Sequence, residues 1–134
     1  MDSLWGSYRR LNNITGWILF FISFSVYLLT LEPTVSFWDC GEFILSSYKL
    51  QVGHPPGAPL FIMIGRIATF FALGDTSKVA LMMNGLSALC SAFAIMFLFW
   101  TITHLVRRVY TINNPLETRQ IPAIIGSGII GALA

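Results

Sequence analysis

FWDCGEFILSSYKLQVGHPPGAPL, residues 37–60, decides how the rest of the chain is read. It gathers Asp39, Glu42, Lys49 and His54 between segments that are almost wholly apolar. Ser36 to Asp39 fits a helix N-cap with an acid at the third helical position, and residues 37–50 then read as a helix. At about 100° per residue, Asp39, Glu42, Ser46 and Lys49 fall in a stripe about 80° wide, with Ile44, Leu45 and Tyr48 on the other side. That pattern predicts an amphipathic helix suited to a membrane interface. Gly53-His54-Pro55-Pro56-Gly57 ends it, because the prolines remove donors and force an extended turn.

Outward from this stretch the chain is membrane-like. Hydrophobic residues make up 55% of it and charged ones 10%, where a soluble domain carries roughly 25%. No charge lies between Leu11 and Leu31 or between Val79 and Val106. A net charge of +2 without a basic run gives no reason to expect nucleic acid. Cys40 and Cys90 form neither a disulfide framework nor a CxxC pair.

The predicted order is a polar head carrying Arg9 and Arg10, then a first span at 14–31, read as an uncleaved signal anchor and closed by Glu32-Pro33. A loop follows at 32–78, with juxtamembrane helices at 37–50 and 59–73. The second helix is short for a span and contains Arg66. Gly74 ends it, and Asp75 to Lys78 caps the second span at 79–106. A linker at 107–121 leads into a third apolar run at 122–134, shorter than the roughly 20 residues that cross a bilayer. The chain therefore reads as the N-terminal piece of a longer, all-α, polytopic membrane protein. With 59–73 at the interface, Arg9, Arg10, Arg107, Arg108 and Arg119 share one side. The positive-inside rule makes that side cytoplasmic and puts 32–78 outside.

Asp39 and Glu42, at i and i+3, share a helical face. Such a pair can bind a divalent ion, act as a general base on an attacking hydroxyl, or simply favour the helix N-terminus. His54, held by prolines, can bind a phosphate or a sugar hydroxyl, or cap a neighbouring carbonyl. Arg66 would cost about 2.5–3.5 kcal/mol at the centre of a span. At an interface it snorkels or pairs with a lipid phosphate. Trp38, Lys49, His54 and Arg66 are the substrate-binding candidates, and Lys49 reads equally as a solvated charge. Asn84, Gly85, Ser87, Ala88 and Ser91 put small or polar side chains on the long helix, most simply as a packing face. Asn13-Ile14-Thr15 matches a glycosylation sequon, but it falls at the membrane edge on the cytoplasmic side. A transporter fragment would need charges inside its spans, and 79–106 offers only His104 near its end. A noncatalytic scaffold is the other alternative, and a lipid phosphatase would need an Arg/His cluster.

The longer stretch TVSFWDCGEFILSSYKLQVGHPPGAPLFIMIGRI, residues 34–67, resembles the N-terminal signature of a bacterial membrane family once known only as a domain of unknown function. That family is similar to an animal endoplasmic-reticulum protein O-mannosyltransferase, and both are GT-C glycosyltransferases. The resemblance covers about residues 32–78 and implies a GT-C helical bundle in a bacterial inner membrane. It implies that Asp39 is the acidic residue acting as base on the acceptor, with Glu42 assisting through a metal, a hydrogen bond or the acceptor itself. His54 and its prolines would shape the pocket. The implied donor is a polyprenyl-phosphate-linked sugar and the acceptor a Ser or Thr of an exported protein. A phosphate contact for Arg66 rests on its charge and position alone. Members of the family are much larger, so this piece is expected to be inactive by itself.

Overall fold

The computed structural model describes residues 2–55, 57–112 and 115–134. Among them the chain is all helical: α1 (Asp2–Leu29), α2 (Cys40–Lys49), α3 (Pro59–Phe70), α4 (Val79–Thr111) and α5 (Ile121–Leu133). Two helices, Leu4–Leu29 and Thr76–Thr111, are long and apolar enough to cross a membrane. The chain divides into two compact units, one formed by Tyr27–Cys90 and the other by the flanking segments up to Val26 and from Ser91 onward.

In the first unit α2 and α3 pack side by side. Phe43 meets Phe61 edge-on with ring centroids 5.5 Å apart. Four residues further along each helix, Ser47 sits against Gly65, where an added Cβ would lie 2.6 Å from Ser47 Oγ and 2.8 Å from Met83 Cε. Both pairs are 18 residues apart, so the two helices run in the same direction. The loop between them must therefore travel back along α2 before α3 starts. Leu50 opens that loop in the left-handed region, at φ 53. Pro59, at the first turn of α3, loses no intrahelical bond. Gly74, at φ 87, ends the connection out of α3. Asp75 then caps a short 3-10 turn, accepting from the Ser77 backbone N–H at 3.0 Å and its hydroxyl at 2.6 Å.

The burial of α2 differs from the amphipathic expectation. Its buried residues are Ser46 and Ser47, whereas Leu45 is 53% exposed. The polar stripe includes a residue packed inside the unit, while on the apolar side Leu45 faces outward and Ile44 and Tyr48 are half-buried. Exposed apolar side chains such as Leu45 suit a bilayer or a further segment of the protein. α3 likewise exposes Leu60, Met63, Ile67 and Phe70. At 1.5 Å per residue its twelve residues reach about 18 Å, well short of the roughly 30 Å hydrocarbon core.

In the other unit glycines let α1, α4 and α5 approach closely. A Cβ at Gly16 would lie 2.4 Å from Trp100 Nε1, and one at Gly128 2.4 Å from Thr103 Cγ2. Tyr8, Leu19, Phe99, Leu116, Ile121 and Ile124 form its buried core. Glu117 and Gln120 form a reciprocal capping box ahead of α5, and Glu117 pairs with Arg119.

The helix ends depart from the predicted ones. The polar head is helical and continuous with the first apolar run, so α1 starts at Asp2 and ends at Leu29. The long helix continues through Arg107 and Arg108 to Thr111. Apolar runs mark where a helix suits lipid, but the backbone ladder extends as far as neither proline nor a cap interrupts it. Similarly, α2 begins at Cys40 rather than Phe37, and α3 ends at Phe70 rather than Leu73. Of the expected packing face on α4, Ala88 is buried, Ser87 and Ser91 are exposed, and none of the described residues packs on Gly85.

Candidate active site

The predicted site residues all fall in the Tyr27–Cys90 unit, where they separate into two groups. Trp38, Asp39, Glu42 and His54 gather at the N-terminal end of α2. Lys49 and Arg66 sit with Tyr48 at its C-terminal end. Ten residues of helix separate the two groups by about 15 Å.

At the N-terminal end, Asp39 rather than Ser36 is the N-cap residue. It lies in the right-handed helical region, at φ −74 and ψ −2, and its side chain makes no capping hydrogen bond. An N-cap side chain normally satisfies an orphan N–H from an extended backbone; a helical N-cap cannot aim its carboxylate that way. Asp39 is thus exposed at a helix start that its carboxylate does not cap. Before it, Trp38 has φ 70 and is 92% exposed. A positive φ in a large non-glycine residue costs of order 1–3 kcal/mol, and here it orients the chain entering Asp39.

Glu42 has a different job. Its Oε1 accepts the His54 backbone N–H at 2.6 Å, and its Oε2 lies 2.8 Å from His54 Nδ1. Both oxygens of one carboxylate therefore hold the returning loop. Gly53 leaves room for this, since a Cβ there would lie 3.1 Å from Glu42 Oε1. The hydrogen bonds from His54 hold the Glu42 carboxyl below the usual carboxylate range. In turn, the hydrogen bond and charge of Glu42, with a smaller pull from Asp39, raise the His54 imidazole above its ordinary value. With Nδ1 engaged, Nε2 has no hydrogen-bond partner among the described residues and is the ring nitrogen left for a ligand. Pro55 belongs to the described part of this turn, while Pro56, the second proline expected to stiffen it, lies outside the described residues.

Asp39 and Glu42 are a poor seat for a divalent ion. Among the described residues no group of three or more His, Cys, Asp or Glu side chains could hold a metal, and both oxygens of Glu42 already accept from His54.

Arg66 does not join Asp39. Its Nη1 donates to the Tyr48 carbonyl, one of the last carbonyls of α2. Its guanidinium lies 5.6 Å from the Tyr48 ring centroid and 4.9 Å from that of Phe70. Lys49 Nζ lies 5.1 Å from the Tyr48 ring centroid as well. Both cations suit the negative end of the helix dipole.

Asn84, expected only as part of a helix-packing face, instead holds the segment before Asp39. Its Nδ2 donates to the carbonyls of Glu32 at 2.8 Å and Thr34 at 3.1 Å, fixing the segment that leads into Asp39. A lone amide near the start of an apolar helix was its only signal. Beside the His54 turn lies a mainly apolar cavity of about 390 Å³, lined by residues including Val52, Gly53, Pro59, Ile62 and Met63.

The sequence model of the protein O-mannosyl-transferase TMEM260 N-terminal domain matches residues 39–134, beginning at Asp39. This chain belongs to that family. It is 35% identical over 86 residues to the protein O-mannosyl-transferase tmem260 of Dictyostelium discoideum, covering 63% of this chain and 10% of that protein. It is 38% identical over 82 residues to the protein O-mannosyl-transferase TMEM260 of Mus musculus, covering 60% of this chain and 11% of that protein. The chain thus spans about a tenth of the length of these curated relatives. No solved structure matches it. The expected relation to the animal O-mannosyltransferase holds, and the family together with two span-length helices makes this a membrane protein of glycosyltransferase kinship.

Proposed function

We propose that this chain forms the first external loop and flanking spans of a GT-C glycosyltransferase that moves a sugar from a polyprenyl-phosphate donor to Ser or Thr hydroxyls of exported proteins. The observation that carries the reading is the division of labour in Asp39-x-x-Glu42: Glu42 is bound to His54, whereas Asp39 is exposed with no capping bond. In this reading the Asp39 carboxylate takes the proton from the acceptor hydroxyl as its oxygen bonds to the anomeric carbon. The bond from that carbon to the phosphate oxygen breaks, and polyprenyl phosphate leaves with the electron pair. Glu42 positions rather than reacts. His54, charged and presenting Nε2, receives the leaving phosphate. Trp38 offers an exposed ring to the sugar, and the apolar cavity beside Gly53 receives the first isoprenoid carbons.

Arg66 and Lys49 take a different role from the one expected. About 15 Å of helix separates them from Asp39, too far for one sugar phosphate to touch both ends. Arg66 acts by tying α3 to the end of α2. We assign the N-terminus to the cytoplasm, 32–78 to the outside, and, from the bacterial resemblance, the membrane to a bacterial inner membrane.

The test is sugar transfer in cells lacking the full-length gene, complemented with wild type or Asp39→Asn at equal membrane levels and read by intact mass of exported proteins. Asp39→Asn should lower transfer by at least about 100-fold. Equal restoration by the mutant would leave Asp39 as a helix-end residue. If wild type adds no mass, the noncatalytic scaffold takes the lead.

A further inference from the structure

A polar cavity that shares no residue with the candidate active site lies where the polar start of α1 meets the last turns of α4. Its volume is about 280 Å³, near the roughly 300 Å³ at which small-ligand pockets begin. Arg9, Asn12, Asn13, His104 and Arg107 supply its polar wall. No carboxylate lines it among the described residues, so its two arginines have no acidic counterpart in the wall. Bringing two permanent cations to one small cavity is unfavourable unless an anion is shared between them.

The walls are built rather than incidental. Trp100 fills the space left by Gly16, where any side chain would collide with it, and its Nε1 donates to the Asn12 carbonyl at 3.3 Å. Arg107 is held over the Trp5 ring at 4.9 Å, and its Nη2 lies 3.5 Å from His104 Nδ1. Stacking fixes the guanidinium plane and leaves most of its donors unspent. Tryptophans with arginines where apolar runs end are the arrangement of a membrane interface.

We propose that this cavity binds the phosphate of a phosphate ester, with Arg9 and Arg107 as its two cationic contacts. Basic pockets between membrane helices commonly take anionic head groups, and the tryptophans favour a phospholipid as the source. A soluble phosphate ester presents the same chemistry.

Native mass spectrometry of the full chain in neutral detergent distinguishes these, with phosphatidylglycerol, glycerol 3-phosphate or phosphatidylcholine added separately. Wild type should retain phosphatidylglycerol over phosphatidylcholine. R9Q/R107Q should weaken retention by about 30-fold, two arginine contacts' worth, while R10Q/R108Q, which removes the same charge outside the cavity, should not. Capture of glycerol 3-phosphate with the same dependence assigns a soluble source and supports the site. Equal loss in both double variants, no loss in R9Q/R107Q, or no anion bound by wild type overturns it. If R9Q/R107Q fails to fold by circular dichroism, R9Q alone, at an exposed position, carries the test with a loss of about fivefold.

Discussion

Glu42 and His54 make a switch-like pair whose pH behaviour follows from the direction of each shift. Glu42 is shifted down in the fold, so what it contributes is present above its ordinary 4.5 and lost as pH falls through the lower folded value. His54 is shifted up, so its contribution is present below its ordinary 6.5 and lost as pH rises through the higher folded value. The clamp is therefore strongest between about pH 4.5 and 6.5. Protection of the His54 amide against hydrogen exchange, corrected for intrinsic rate, should peak in that window and be lost in Glu42→Ala. In an NMR titration His54 should ionise above 6.5 in wild type and fall back toward it in the same variant. A His54 that titrates identically in both would mean that the clamp does not form. The acids at 39 and 42 were legible as a pair, but not the separation by which Glu42 is bound and Asp39 is left exposed. That separation depends on a loop residue twelve positions away returning to Glu42, and no local periodicity encodes it.

Between elements, the contact of Ser47 with Gly65 governs how closely α2 and α3 run. Ser47 is fully buried and its Oγ has no hydrogen-bond partner among the described residues. A buried unpaired hydroxyl is a net cost, so Ser47→Ala should be neutral or raise stability by up to about 1 kcal/mol. Gly65→Ala should do the opposite, losing about 1–3 kcal/mol through overpacking. Thermal unfolding in detergent checks both, and a strongly destabilised Ser47→Ala would show that the hydroxyl has a partner after all. Helix existence and order were readable in α2, α3 and α4, because apolar runs and breakers set them. Their ends moved by several residues, since a ladder of backbone bonds passes through Arg107 as readily as through leucine. The parallel course of α2 and α3 was not readable, because residues at i and i+18 carry no signal until the loop between them is folded.

For the molecule as a whole, the two native cysteines report topology. Both are free and exposed, one at the start of α2 and one in the middle of α4. With 32–78 outside and α4 in the bilayer, a membrane-impermeant maleimide added to intact cells should modify Cys40 and spare Cys90. Modification of Cys40 only after permeabilisation would invert the proposed topology, and labelling of Cys90 would place that part of α4 in water. The two helices long enough to span a bilayer were visible in the sequence as uncharged runs. The orientation rests on where five arginines fall, and the backbone alone does not decide it.

The return loop makes α2 and its connection a matched ruler. From Lys49 back to Glu42 is seven residues of helix, about 10 Å, and the five residues from Lys49 to His54 reach about 16 Å when extended. One extra turn in α2, about 5.4 Å, would use up nearly all of that slack, and two would pull His54 off its carboxylate. Lengths of helix and loop in this region are therefore not free to drift separately. A shortened loop or a lengthened helix is tolerated only with a compensating change in the other, and an engineer who wishes to detach the histidine without touching a polar residue can do it by counting.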